Sequence, residues 1–367
     1  MSTRAPLPLA EYSIEAFEAL ITSWGFKALH AAPVLRAFYA CDGMRPWEAP
    51  DRPVPDALMD RLQVAFETRC AHTAVRQCAE DGTVKLLLRL RDQRSVESVL
   101  MPDYRADRAA GCLSSQVGCA MGCDFCATTQ TGFERNLTSG EIVEQFLALR
   151  SEAAVAGRRL RTVVFMGMGE PLLNFESVVS AVRRIGENGM GGLGWRQITV
   201  STVGIVPGID ALAETGLNVA LAVSLHAPDD ATRSQLLPTG RKFVIEEILA
   251  AADRYQARTG RPVTVQYCLL RGVNDSPDQA KQLAGLLIGR RMHVNLLRYN
   301  PTGIGLRGNA YQTSTEEASE GFMNIVRSLG VVAHFRRPRG RDIDAACGQL
   351  RRRMVPEAGI EPATKGL

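Results

Sequence analysis

The chain has no run of 18 uncharged apolar residues, which excludes an ordinary membrane-spanning helix. Its start, Met1-Ser-Thr-Arg-Ala-Pro, has no apolar stretch of the kind a secretory signal needs. No internal repeat or low-complexity segment is found, which excludes a repeat array. The nine cysteines (41, 70, 78, 112, 119, 123, 126, 268 and 347) are odd in number and scattered. Without a secretory signal they fit a reduced, cytoplasmic setting rather than a disulfide framework. What is present is ordinary in bulk. A chain of 367 residues with 46% hydrophobic content can fill one large α/β domain and a small accessory one. The net charge of +4 says little about partners, but its placement says more. Arg336, Arg337, Arg339 and Arg341 are followed by Arg351, Arg352 and Arg353. Such a cluster suits phosphates, or it is simply a solvated basic edge.

Residues 9 to about 70 read as helical, with Ile14, Phe17, Leu20, Ile21 and Trp24 at helical spacing. From about 74 to 101 the pattern is of strands, with Asp81-Gly82 as a hairpin turn and Val84, Leu86, Leu88 and Leu90 alternating. Strands are then expected at 113–118, 162–166, 197–202, 218–225, 263–270, 292–298 and 331–336. Helices are expected between them near 138–152, 175–187, 208–214, 246–258, 277–288 and 316–328. Repeated βα units of this length predict a parallel sheet, open or closed into a barrel. The expected division is a helical accessory domain over 1–72, a β flap over 73–104, a core over 105–350 and a disordered tail over 351–367.

Cys119-Ala-Met-Gly-Cys123-Asp-Phe-Cys126 is the most informative segment. No fourth cysteine lies in register with it. Structural zinc usually has four protein ligands, and ferredoxin-type clusters use four cysteines. Three thiolates with an open position suit a [4Fe–4S] cluster with one iron free to bind a chelating molecule; a zinc knuckle is the plain alternative. Val163-Val-Phe-Met-Gly167-Met-Gly169-Glu170-Pro171 runs an apolar strand into two glycines and an acid. A carboxylate there can take hydrogen bonds from a ligand's ammonium, or Glu170 is a solvated turn residue. Ser201, Ser224-Leu225-His226 and Asn300 sit at the ends of later strands and can line a nucleoside pocket. For His226 a core or capping role competes, and for Asn300 a plain Asn-Pro turn. Cys112 and Cys347 lie in polar, Gly-containing segments, which suits a reactive thiol as well as a small buried hydrophobe. Cys41, Cys70, Cys78 and Cys268 read as structural. Glu97 is an acid in an apolar flap strand, and a solvent-facing position is its simplest reading.

Together these residues resemble the RlmN/Cfr family of radical-SAM RNA methyltransferases, over roughly residues 74–350. The resemblance is carried by CLSSQVGCAMGCDFCATTQTGFERNLT, FMGMGEPLLN, AVSLHAP and RGRDIDAACGQL. It implies a (βα)6 partial barrel and a [4Fe–4S] cluster on Cys119, Cys123 and Cys126. It implies S-adenosylmethionine at Gly169, Glu170, Ser201, Ser224, Leu225, His226 and Asn300. It further implies that Cys347 takes a methyl group from one S-adenosylmethionine, and that a second yields a 5′-deoxyadenosyl radical that abstracts hydrogen from that methyl. The carbon radical adds to adenine, Glu97 accepts the ring proton, and Cys112 attacks Cys347 to release product and leave a transient disulfide. By the same resemblance the substrate is an adenosine of 23S rRNA methylated at C2, with tRNA as a second target. The N-terminal helices would contact RNA, and a flavodoxin or ferredoxin would supply electrons to a monomer. Tyr299 stands where RlmN members usually have Trp, and residues 128–132 depart from the usual loop. These differences keep open C8 methylation. A zinc-stabilised RNA-binding protein and a radical-SAM enzyme of another substrate class are the competing readings.

Overall fold

The structure is a computed structural model that describes residues 6–48, 50–238 and 242–350. Arg351, Arg352, Arg353 and the rest of the expected tail lie outside the described residues. Three helices come first: α1 (Ile14–Ser23), α2 (Ala31–Ala40) and α3 (Asp56–Ala65). Strands β1 (His72–Cys78), β2 (Val84–Arg89), β3 (Ser95–Pro102) and β4 (Arg108–Cys112) follow. Next comes a short antiparallel pair, β5 (Gln116–Gly118) with β6 (Phe133–Asn136). Then helices and strands alternate: α4 (Ser139–Val155), β7 (Arg159–Phe165), α5 (Phe175–Gly186), β8 (Ile198–Thr202), α6 (Val206–Glu214) and β9 (Ala220–Ser224). The chain continues through α7 (Asp230–Leu236), α8 (Ile245–Thr259), β10 (Val263–Leu269), α9 (Pro277–Leu287), β11 (Met292–Arg298), α10 (Glu316–Ser328) and β12 (Ala333–Phe335).

Among the described residues, ten strands form one sheet in the order β12-β11-β10-β9-β8-β7-β4-β3-β2-β1. The run from β4 to β12 is parallel throughout. Six βα units therefore precede the last strand, and the architecture is the expected α/β partial barrel. The flap strands continue this sheet antiparallel, β3 pairing with β4. Residues that follow β12 reach back to the earlier strands. Arg336, after β12, places Nη1 3.0 Å from Sδ of Met166, after β7. Residues 339–344 dock on the β1–β2 turn, with Gly340 N donating to Asp81 and Glu80 N to Asp342. One hydrophobic core runs from Leu9, Phe17 and Phe38 through β2 and β3 into the barrel strands and helices.

The first barrel strand is Arg108–Cys112, five residues before the expected start at 113. The Arg-Ala-Ala-Gly-Cys segment is poor in strand formers because α4 packs close to it: a Cβ on Gly111 would lie 3.1 Å from Leu149 Cδ1. Leu113 to Gln116 instead run along the residues after β7. Ser115 N donates to Met168 O and Met168 N to Ser114 Oγ. Gln145 of α4 fixes this segment from below, accepting from Ser98 Oγ at 2.8 Å and Ser114 N at 2.9 Å and donating to Ser114 O. A buried network so fully satisfied specifies one arrangement. Helix α4 starts at a capping box, Thr138 with Glu141, and α9 at another, Ser276 with Gln279. Helix α7 was not expected from the sequence; Asp229 caps its seven residues. No described helix is long and apolar enough to cross a membrane.

Candidate functional site

The carboxyl ends of the parallel strands surround one cavity, where sheets of this kind place their sites. Cys119, Cys123 and Cys126 line it, and so do Cys112 and Cys347. The loop carrying the three cysteines is pinched at its base. Cys119 N donates to Gly132 O at 3.0 Å, and a Cβ on Gly118 (φ +77) would lie 1.8 Å from that oxygen. Glycine is required there both for the left-handed backbone and for the contact. Asp124, between two of the cysteines, is fully buried. It accepts from Asn309 Nδ2 at 2.7 Å, Tyr311 OH at 2.8 Å and Arg307 N at 2.8 Å. Burial works against its charge, yet these donors hold its carboxyl below the usual range.

Burial pushes the Cys119 thiol up to about 12 and Cys123 well above its ordinary value, and each is raised further by neighbouring thiols and Glu170. Three such thiols become thiolates together only against a strongly positive group. Among the described residues no three His, Cys, Asp or Glu side chains are grouped as ligands of one metal ion. A set of three cysteines on one loop fits an iron–sulfur cluster with one position left open for a ligand.

Glu170 is 2% exposed, and burial raises its carboxyl to about 7. Its Oε1 accepts from Leu172 N at 3.0 Å and its Oε2 from Val203 N at 2.8 Å. These bonds aim a carboxylate that gains its charge readily once a cation approaches. It is not a solvated turn residue. The glycines before it serve the protein's own packing. A Cβ on Gly167 would lie 2.7 Å from Leu113 O, and one on Gly169 would lie 2.5 Å from Gln116 Cβ. The two most distinctive sequence segments are thus pressed into one unit, with Gly169 still lining the cavity.

Ser201, Ser224, His226 and Asn300 reach the cavity as expected. Leu225 does not: it is wholly buried, and its N–H donates to Gln266 O. Alternation along the strand end turns it inward between Ser224 and His226. His226 has φ +58. Its Nδ1 accepts from Cys268 N at 3.0 Å, which leaves the proton on Nε2. Burial and the charge of Arg233 hold the ring down to about 3, so it is neutral at physiological pH. Asn300 faces the loop of Cys347: its Oδ1 accepts from Arg341 Nε at 3.0 Å, and its Nδ2 lies 3.5 Å from Cys347 O. Met121, Phe125, Met166, Gln266 and Arg298 line the cavity without having been singled out, and so do Cys268 and Arg336, which were named for other roles. Cys268, read from sequence as structural, lies two residues after Gln266 on β10. That spacing, with the strand-end position, was the available signal.

Cys112 is buried, and its thiol is pushed up to about 12, by burial first and then by Cys347, against Arg336. Cys347 is exposed. Its loop is tied to the cluster loop by Ala127 N to Gly348 O (2.7 Å) and Thr128 Oγ1 to Leu350 O (2.9 Å). The flap holds its other side. Lys85 Nζ donates to Asp344 O at 3.2 Å and lies 3.4 Å from the Glu97 carboxylate. Glu97 is 2% exposed, so it is not the solvent-facing residue that β-alternation suggests. The second face of β2 and β3 is covered as well, which the sequence pattern does not show. Glu97 sits behind the cavity wall rather than lining it.

A cluster-compatible thiol trio, an aimed buried carboxylate and strand-end polar groups around one cavity define a radical-SAM protein. Residues 113–284 match the family model of the Radical SAM superfamily. The chain is 64% identical over 348 residues to the "Probable dual-specificity RNA methyltransferase RlmN 1" of Opitutus terrae, covering 94% of this chain and 96% of that one. It is 44% identical to the RlmN of Frankia casuarinae, covering 95% and 83%. A radical SAM methyltransferase from Sphaerobacter thermophilus superposes with a TM-score of 0.87 at 40% identity, over 95% of this chain and 100% of that one. The chain belongs to the RlmN family of radical-SAM methyltransferases. The likeness reaches beyond the 74–350 span that the motifs mark.

Proposed function

We propose that the chain methylates a ring carbon of adenosine, C2 by preference, in 23S rRNA and also in tRNA. The relatives are named dual-specificity RNA methyltransferases, which supports an RNA substrate. The observation that carries the reading is one cavity lined by the three-cysteine loop, Cys112 and Cys347 together. When bound, the [4Fe–4S] cluster and S-adenosylmethionine supply the methyl group and the hydrogen-abstracting radical. Cys119, Cys123 and Cys126 hold the cluster. Glu170 takes the amino group of S-adenosylmethionine, and Ser201, Ser224, neutral His226 and Asn300 orient the remainder. Cys347, on the exposed side of the cavity, carries the one-carbon unit to the base.

Glu97, paired with Lys85 behind the cavity wall, is the final acceptor of the ring proton, which must reach it through an intervening carrier because its carboxyl does not line the cavity. Cys112 remains a protonated thiol until its turn, because burial holds its proton on and Arg336 only partly offsets this. It then gives up its proton and attacks the Cys347 sulfur, breaking that sulfur's bond to the ring-bound methylene carbon, which takes up a proton to become the methyl group; the disulfide left behind is reopened by an external reductant. Nucleoside mass spectrometry of rRNA and tRNA, after incubation with cluster-loaded protein, S-adenosylmethionine and a reductant, tests this. 2-Methyladenosine is expected. 8-Methyladenosine would move the reaction to the other ring carbon, and no methylated adenosine from protein that cleaves S-adenosylmethionine would refute the substrate.

A further inference from the structure

A second, smaller cavity opens beside Cys347, on the side away from the cluster loop, and Arg298, Arg336, Arg337 and Arg339 line it. Cys347, Arg298 and Arg336 border both cavities. The four guanidiniums come from distant sources: Arg298 ends β11, and the others follow β12. Their charge is weakly compensated. Arg298 Nη1 lies 3.6 Å from Glu316, whose side chain is 78% exposed, and Arg339 Nη1 lies 3.8 Å from Asp81. Both pairs are long, and the Arg298 pair ends on an exposed carboxylate, so they contribute little and leave the guanidiniums free to take a better-placed anion. Arg336 meets the Met166 thioether, and Arg337 lies 5.6 Å above the ring of Tyr104, which is 77% exposed.

We infer that this arginine-lined mouth is a phosphodiester clamp for the nucleotide whose base reaches Cys347, with Tyr104 as a stacking platform for a neighbouring base. The inference rests on RNA being the substrate. The cluster loop, pinned at Gly118 and Asp124, lines the larger cavity and not this mouth, so a macromolecule approaches Cys347 from the arginine side. A base that enters the cavity leaves its stack and carries its flanking phosphates no farther than the rim. That rim is where planar guanidinium forks, which match phosphate oxygens two at a time, are gathered. An exposed aromatic ring under an arginine is the companion that unstacked bases need.

The test is equilibrium binding of the full-length, cluster-loaded protein to unmodified tRNA and 23S rRNA transcripts across a range of KCl concentrations. Arg337→Gln is the principal variant, because its guanidinium lies over the Tyr104 ring at the mouth; Arg339→Gln and Tyr104→Leu accompany it. Arg258→Gln, at the far end of α8 beside Glu214, is the charge control. Each clamp arginine removed is expected to make the salt dependence shallower, by roughly 0.7–0.9 in the slope of log K against log salt, and to weaken binding several-fold. Tyr104→Leu is expected to weaken binding with the slope kept. The control and the binding of S-adenosylmethionine are expected to be unchanged. Wild-type protein that binds RNA while Arg337→Gln and Arg339→Gln bind with its slope and affinity would overturn the clamp alone. Wild-type protein that binds neither RNA would overturn the substrate and the clamp with it.

Discussion

Two thiols that face one cavity with unequal exposure are suited to unequal tasks. Cys347 is exposed, as a thiol that is to meet a substrate must be; Cys112 is buried, which holds its proton on. Cys112→Ala is therefore expected to accept the methyl group and attack RNA but not to release it. A covalent protein–RNA band on a denaturing gel, with turnover at background, is the expected result; clean multiple turnover would remove Cys112 from the reaction. The residue types at this site were largely legible in the chain. Thiols, a Gly-Glu pair at a strand end, and hydroxyl and imidazole groups at later strand ends announce their chemistry by type and spacing. What was not legible was contact. Leu225 sits between two cavity residues and points away, and Asn300 turns its amide to the Cys347 loop. Alternation at the strand end could have told the first, but the second has no sequence signature, because it depends on what another segment presents.

Two loops decide whether the elements bearing these residues meet. The cluster loop is closed at its neck by Gly118 against Gly132. Gly118→Ala is expected to add about 1–2 kcal/mol of backbone strain in addition to the clash. Iron bound per chain after reconstitution is expected to drop several-fold, while far-ultraviolet circular dichroism stays native; full iron loading would show that the neck tolerates a Cβ. The Cys347 loop is held by Lys85, whose ammonium lies between Asp344 O and the Glu97 carboxylate. Lys85→Met is expected to free the loop and slow disulfide formation between Cys112 and Cys347 several-fold under diamide, which takes up the two electrons and two protons released. Lys85→Arg is expected to restore part of the rate. An unchanged rate in Lys85→Met would mean that the cluster-loop contacts suffice. Periodicity gave the barrel helices closely, because their apolar faces repeat against the sheet. It misplaced the first barrel strand, since Gly111 and its alanines are chosen for the close approach of α4 rather than for strand propensity.

At the scale of the whole molecule, one core ties the N-terminal helices and flap to the barrel, and α4 stands at the junction. Its Glu144 is 2% exposed and accepts from Cys70 N at 2.8 Å and Ala71 N at 2.5 Å, where the chain enters β1. Burial outweighs those two donors and raises its carboxyl to about 7. The folded state therefore holds this proton more tightly than the unfolded chain does. Its contribution is fully present below about pH 4.5 and is lost as pH rises to about 7, by at most about 3 kcal/mol. Glu144→Gln is expected to flatten that part of the stability–pH curve, read by urea unfolding at acid and neutral pH. An identical curve in the variant would show that Glu144 does not titrate in this range.

The most direct measurement is nucleoside mass spectrometry of rRNA and tRNA treated side by side with cluster-loaded wild-type protein and Cys347→Ala. 2-Methyladenosine from the wild type and none from the variant, with S-adenosylmethionine binding intact in both, is the expected result. Methylated adenosine from Cys347→Ala would contradict the proposed route.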